Sequence, residues 1–174
     1  MLIISGPSTI GKNPLIYKIC ELYGYEYIIP YTTRLIRKEE QQGKDYFFIA
    51  KEEFQEKIKN NEMIEWDYAL NNYYGFSFNV KEGKFITHSL SRMALRLKAQ
   101  YPNEITTIFL MPENPDLILS NIEKIYTGEM LVLRKELMRE EIGHAKLFDK
   151  IFACSGSVFN ILENTDMKKL LNKY

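Results

Sequence analysis

Cysteine, histidine and tryptophan are scarce in this chain: 174 residues hold two Cys, two His and one Trp. Two cysteines as far apart as Cys20 and Cys154 do not make a disulfide scaffold, and the expected compartment is a reducing one, the cytoplasm. A chain of this length buries roughly two thirds of its unfolded surface, so it needs neither a staple nor a structural metal. His88 and His144 have no partners at metal-ligand spacing, so neither is read as a metal site. Net charge is also missing, with 23 Lys and Arg against 23 Asp and Glu. That balance argues against holding nucleic acid or anionic lipid by bulk electrostatics. No apolar run approaches the roughly 18 residues of a membrane span. The apolar start Met1-Leu2-Ile3-Ile4 is ended at once by Ser5-Gly6-Pro7 and carries no basic leader, so it is not read as a targeting signal.

What the sequence does have is short apolar runs alternating with amphipathic stretches, the pattern of strands interleaved with helices. Strands are expected at Leu2–Ser5, Tyr25–Ile29, Lys84–His88, Ile105–Met111 and Asp149–Cys154. Leu15, Ile16, Ile19, Cys20 and Tyr23 recur at helical spacing and predict a helix from about 14 to 23. Residues 31–46 are polar and charged and read as an extended surface segment. Lys51–Asn60 reads as a short helix. Ile64–Ala69 and Tyr73–Val80 read as a small sheet with a turn at Asn71-Asn72. The stretch Glu123–Leu147 reads as a turn feeding one long helix, and Thr165–Asn172 as a closing helix. No repeat or Pro/Gly-rich linker interrupts the chain, so residues 1–174 are expected to form one domain.

Gly6-Pro7-Ser8-Thr9-Ile10-Gly11-Lys12 fits the first seven positions of G-x-x-x-x-G-K-[ST], and it lies between a buried strand and a helix start. In such a loop backbone N–H groups and the helix N-terminus point at phosphate oxygens, and the lysine reaches the terminal phosphates. The bland alternative is a strand-to-helix turn with a solvated lysine. The eighth position is Asn13, followed by Pro14, where the motif offers a hydroxyl to magnesium. The Asn13 side-chain oxygen is a weaker substitute ligand, Pro14 removes one N–H, and proline disfavours helical geometry in the residue before it.

Thr32-Thr33-Arg34-Leu35-Ile36-Arg37, then Glu40 and Gly43-Lys44-Asp45-Tyr46, resembles the T-T-R-x-x-R…E-x-x-G-x-D-Y segment of guanylate kinases. Glu65-Trp66 and Asn72-Tyr73-Tyr74-Gly75 resemble two further blocks of that family, in the right order and spacing. With the Gly6–Lys12 loop the resemblance covers roughly the first 80 residues, and it continues weakly in Ile108–Pro112 and Phe148-Asp149. It implies a P-loop three-layer α/β/α fold with a central parallel sheet, core 1–30 and 81–174. A small mixed α/β subdomain binding the nucleoside monophosphate is implied at about 31–80, and a helical lid at about 120–140.

The activity implied is ATP-dependent phosphoryl transfer to GMP or dGMP with Mg2+, by a monomer or homodimer. ATP would lie on Gly6, Pro7, Ser8, Thr9, Ile10, Gly11, Lys12 and Asn13, and the GMP phosphate on Arg34, Arg37, Tyr46 and Tyr74. Glu65 would accept from the guanine N–H groups. Lys12, Arg34 and Arg134 would be the catalytic residues. Arginines three residues apart with phenolic hydroxyls are chemically suited to a phosphate clamp. Each also has a plainer reading, as surface arginines paired with Glu39 or Glu40 and as core tyrosines with a wet tip.

The departures from the family pattern are Pro30, Phe76, Ser89 and Ser91, where the family has a serine, a Ser or Thr, and two aspartates. Its lid arginine element has no clear match. Arg134, Lys135 and Arg139 are the nearest candidates, and the alternative for them is an exposed face interleaved with Glu136, Glu140 and Glu141. Cys154, at a family asparagine position, reads as a small buried hydrophobe. Two rival functions therefore stay open: a binding module that keeps the fold and pocket, and a kinase with a changed acceptor.

Overall fold

A computed structural model describes residues 1–77, 83–155 and 157–173. The chain divides into two compact units, Met1–Tyr27 with Glu82–Tyr174, and Ile28–Lys81.

The first unit is built on a five-stranded parallel sheet. Its strands are β1 (Leu2–Ser5), β2 (Glu26–Tyr27), β7 (Phe85–His88), β8 (Thr106–Pro112) and β9 (Lys150–Cys154), in the order β2-β7-β1-β8-β9. β1 is central, with Leu2 opposite both Ile86 and Thr106. A strand covered on both faces must be apolar throughout, which is why Leu2-Ile3-Ile4 is an unbroken run and is fully buried. Helices α1 (Lys12–Tyr23), α3 (Ser91–Gln100), α4 (Pro115–Ile125), α5 (Gly128–His144) and α6 (Thr165–Leu171) flank the sheet. Leu15, Ile16 and Ile19 of α1 pack with Ile86, Ile108, Leu110 and Met167 in its core. Each such side chain contributes about 1.5–3 kcal/mol through burial.

Several strand boundaries differ from expectation by a residue or more. The expected Tyr25–Ile29 strand shortens to Glu26–Tyr27, because this edge strand has only β7 to pair with. The expected turn feeding a long helix within Glu123–Leu147 is present: α4 ends at Ile125, Tyr126 and Thr127 are extended, Gly128 takes φ 57°, and α5 runs from there to His144. Asp149 stays outside β9 because it is committed elsewhere. Its Oδ2 accepts from Thr107 N (2.8 Å) and Thr107 Oγ1 (3.0 Å), its N–H donates back to Thr107 Oγ1 (3.1 Å), and Lys98 Nζ lies 3.1 Å away.

Burial works against the Asp149 charge, but the Thr107 and Lys98 bonds outweigh it and hold the pKa below its ordinary value. Solvent at this partly exposed carboxylate screens the Lys98 pair, so Asp149→Ala should cost about 1–2 kcal/mol in urea unfolding, mostly from the Thr107 hydrogen bonds. The carboxylate's share of stability is complete above its unfolded pKa of about 3.9 and is lost as pH falls through the lower folded value.

The second unit carries a mixed four-stranded sheet, order β4-β3-β6-β5, from β3 (Tyr31–Thr32), β4 (Phe47–Phe48), β5 (Glu65–Ala69) and β6 (Asn72–Phe76). The segment 31–46, expected as extended and at the surface, begins in a strand: Tyr31 and Thr32 pair with β6 on one side and β4 on the other. The β5–β6 hairpin turns at Leu70-Asn71, one residue earlier than expected, with φ 53° and 61°. Both values are positive, as a two-residue hairpin turn of matching twist needs, and Asn72 Nδ2 props the Leu70 carbonyl at 2.8 Å. The expected strand residues 78–80 lie outside the described ones.

Register divides this sheet into two faces. Tyr73, Trp66 and Tyr68 form one, with Phe54 of α2 (Lys51–Lys59) stacked on Tyr73 at 5.2 Å. Glu65, Asp67, Tyr74, Phe76 and Thr32 share the other, since Glu65 is opposite Phe76, Asp67 opposite Tyr74, and Tyr74 opposite Thr32.

Candidate active site

The Gly6–Lys12 segment leaves β1 through three residues with positive φ: Gly6 (146°), Thr9 (67°) and Gly11 (94°). A Cβ on Gly6 would lie 2.7 Å from the Leu110 carbonyl oxygen, so only glycine lets the loop approach β8 this closely. Thr9 in this region costs about 1–3 kcal/mol, strain of the kind that collects at functional sites.

Lys12 opens α1, and its Nζ donates to the Gly6 and Pro7 carbonyls at 2.6 and 2.9 Å, which folds the ammonium over the loop. Pro14 falls in the first turn, where helix N–H groups have no intrahelical acceptor anyway. The expected loss of helical geometry at Asn13 does not occur, for Asn13 lies within α1.

Of the three lid candidates, Arg134 is the buried one. It is buried on α5, its Nη1 donates to Ser8 Oγ at 2.9 Å, and its guanidinium stacks 4.5 Å from the Tyr126 ring centre. Lys135 pairs with Glu123 at 2.7 Å and Arg139 is exposed, so the exposed-face reading fits those two.

Glu141 departs from that reading. Arg134, Met138 and Glu141 form the buried stripe of α5, and Glu141 Oε1 accepts from Ser91 N at 2.8 Å. Burial pushes the Glu141 pKa up, against the opposing pull of the Ser91 amide and of Lys12. The signal was the i, i+4, i+7 spacing, which is a helix face; polar residues at two of its three positions hid it. Ser91 Oγ meets His144 Nδ1 at 2.8 Å, and Ser89 Oγ lies 3.5 Å from Ser5 Oγ.

His88 is buried with Nδ1 3.0 Å from Tyr27 OH. Cys154 has its pKa pushed to about 11, chiefly by burial, so it carries no thiolate at neutral pH. Among the described residues no group of three or more His, Cys, Asp and Glu is placed to hold a metal ion.

In the second unit Arg34 forms a two-pronged fork with Glu40, Nη1 to Oε2 at 2.6 Å and Nη2 to Oε1 at 2.5 Å. The pairing with Glu40 that would suit a surface arginine is present, but the pair is not on the surface: the two side chains are 10% and 13% exposed. The guanidinium also lies 5.0 Å from the Tyr46 ring centre and 5.2 Å from that of Phe48. Burial disfavours its charge, yet the fork dominates and its pKa is raised.

Arg37 is exposed, but its backbone N–H donates to Glu40 Oε2 at 3.0 Å, so one carboxylate organises both arginines. Tyr46 and Tyr74 rings meet edge-on at 6.2 Å. Burial of the Tyr46 hydroxyl raises its pKa far above that of a free phenol, so it remains a hydrogen-bond donor. Glu65 is buried at the head of β5, its Oε1 accepting from Trp66 N at 2.9 Å. Glu40 appeared in the sequence only as a spacing residue or a surface partner, and its organising role comes from the fold.

The family model described as "Guanylate kinase" matches residues 1–157. A guanylate kinase of Lactococcus lactis is 32% identical over 180 residues, covering 94% of this chain and 86% of that protein. One of Mycoplasma pneumoniae is 30% identical over 172 residues, covering 88% and 72%. The crystal structure of guanylate kinase from Anaplasma phagocytophilum superposes with a TM-score of 0.76 at 24% identity, covering 98% of this chain and 83% of that one. A glycine-rich loop closed by its lysine, a buried arginine fork beside two tyrosines, and a match over most of the length lead to one conclusion: this chain belongs to the guanylate kinase family.

Proposed function

We propose that this chain transfers the terminal phosphoryl group of ATP to GMP, with dGMP as a second acceptor. The observation that carries the reading is Lys12 folded over the Gly6–Gly11 loop, with Arg134 bound to the same loop through Ser8. A phosphate oxygen of GMP attacks the γ-phosphorus, the bond from that phosphorus to the bridging oxygen of ADP breaks, and GDP and ADP result. The attacking oxygen is already anionic near neutral pH, so no general base is needed, and catalysis is positioning plus stabilisation of charge on the transferred group.

Lys12 would hold the donor phosphates, and Arg134 would stabilise the transferring group. Arg34, Arg37, Tyr46 and Tyr74 would clamp the acceptor phosphate. Glu65 would accept from the guanine N–H groups and reject bases without them, which would leave its oxygens unpaired. Magnesium would supply charge neutralisation at the ATP oxygens. Asn13, in the first turn of α1, would hold it through its side-chain oxygen, a hard ligand of the kind magnesium takes.

The binding-module reading asks for a damaged phosphate site, and the retained lysine, the intact helix start and the paired arginines speak against it. The protein is proposed to work in the cytoplasm as a monomer or homodimer. No helix among the described residues is long and apolar enough to cross a membrane.

Asn13→Ser with Pro14→Thr would restore the hydroxyl and the missing N–H. It should raise kcat severalfold at saturating magnesium ATP, given about 1.4 kcal/mol per decade. A gain below twofold would mean that the loop works fully as it stands.

A further inference from the structure

The nucleotide-facing side of the small sheet carries one acidic residue that the roles above leave unused. Asp67 lies on β5 two residues after Glu65, so the two side chains share a face about 6.6–6.8 Å apart along the strand. Across the strands Asp67 is paired with Tyr74, as Glu65 is with Phe76. It is therefore one rung from the base-binding carboxylate and one strand from the phosphate-binding tyrosine. Its burial follows the same alternation: Glu65 and Ala69 are buried and Asp67 is half-buried, while Trp66 and Tyr68 are exposed.

We propose that Asp67 accepts a hydrogen bond from the ribose hydroxyls of the acceptor nucleotide and so makes the site select GMP over dGMP. The inference rests on the reading of this face as the GMP site. A carboxylate repels phosphate, so on this face its ligand is a donor. A nucleoside monophosphate has two kinds of donor, the base N–H groups and the sugar hydroxyls. The base is taken by Glu65, and the ribose is the part that joins base to phosphate, as Asp67 is placed between Glu65 and Tyr74.

The carboxylate is also oriented in advance. Its Oδ1 accepts from Tyr68 N at 2.7 Å, which fixes the rotamer, and an ionised carboxylate offers about four lone-pair sites, enough to accept a hydroxyl as well. Pre-fixing the acceptor lowers the ordering cost of each new bond. Phe76, opposite Glu65, supports the same division of labour: it puts an apolar wall at the base end and leaves sugar recognition to the Asp67 rung.

The test compares kcat/KM for GMP and dGMP in the wild-type chain, Asp67→Ala and Asp67→Asn, with magnesium ATP saturating. A charge-assisted bond to a hydroxyl predicts a wild-type preference for GMP of about tenfold or more. In Asp67→Ala the ratio should fall to within about threefold of unity, through loss of GMP efficiency with little change for dGMP. A purely structural role would lower both substrates together and leave the ratio where it was. A wild-type ratio near one, or a ratio that the variants do not move, overturns the proposal.

Should the variants fail to fold, calorimetric affinities of the wild-type chain decide: GMP binding about tenfold or more tighter than dGMP keeps the proposal, and equal affinities overturn it. Turnover of neither nucleotide, with no binding of either, would defeat instead the reading of this face as a GMP site.

Discussion

Lys12→Ala is expected to lower kcat by about a thousandfold or more, while GMP affinity stays within about twofold of wild type. The lysine ammonium is the charge that the loop itself holds in place, through the Gly6 and Pro7 carbonyls. Alanine keeps the helix start, since it is the best helix former, so the loss is chemical rather than structural. The residues proposed to hold the acceptor lie in the other compact unit of the chain, which folds around its own sheet rather than around Lys12. Single-turnover rates with magnesium ATP, set beside calorimetric GMP affinities, measure the two effects separately. A kcat loss below tenfold would mean that Lys12 does not contact the transferring phosphates.

Arg34→Lys is expected to raise KM for GMP by about thirtyfold to a thousandfold, the equivalent of losing charged hydrogen bonds worth about 2–4 kcal/mol. Lysine keeps the charge near Glu40 but presents a point donor where a planar fork was, and it cannot stack between Tyr46 and Phe48 in the same way. Arg34→Ala is the poorer probe. It would leave the Glu40 carboxylate buried without its fork, and breaking a buried pair in that manner costs about 3–5 kcal/mol of stability. Thermal melting of the lysine variant separates folding from binding. A KM within threefold of wild type, in a variant that melts normally, would show that the arginine serves Glu40 alone.

The parts legible in the sequence were those fixed by local chemistry. Leu2–Ser5 is apolar because a central parallel strand is covered on both faces, and no other element suits that run. The glycines at 6 and 11 announce themselves because positive φ and close backbone approach require them. Arg34, Arg37, Tyr46, Glu65 and Tyr74 are singled out together by the resemblance to guanylate kinases, and the fold places Arg34, Tyr46 and Tyr74 in one cluster, with Glu65 on the same sheet face as Tyr74.

What was hidden depends on partners distant in sequence. Glu141 is indistinguishable in the sequence from Glu136 and Glu140 on a charged helix face, because nothing in α5 says which side meets Ser91. Glu40 stands in the sequence as a spaced motif residue or, on the plainer reading, one of two surface partners, because the burial of its fork is set by the aromatic residues at 46 and 48. The hairpin turn lies one residue before the Asn71-Asn72 pair that the sequence suggests, because Leu70 takes a left-handed conformation rare for its type, and the Asn72 side chain that supports it acts only once the turn has formed. Asp67 carries no local signal at all, and it acquires meaning only from its register opposite Tyr74.

The central claim is that the phosphate loop and the arginine clamp serve one phosphoryl transfer from ATP to GMP. It is tested most directly by following ADP formation from magnesium ATP with GMP, dGMP, AMP, UMP and CMP as acceptors, one at a time. Robust ADP formation is expected with GMP, less with dGMP, and none above background with the other three. No turnover with any of the five, alongside measurable GMP binding by calorimetry, would contradict it and leave a nucleotide-binding module in place of an enzyme.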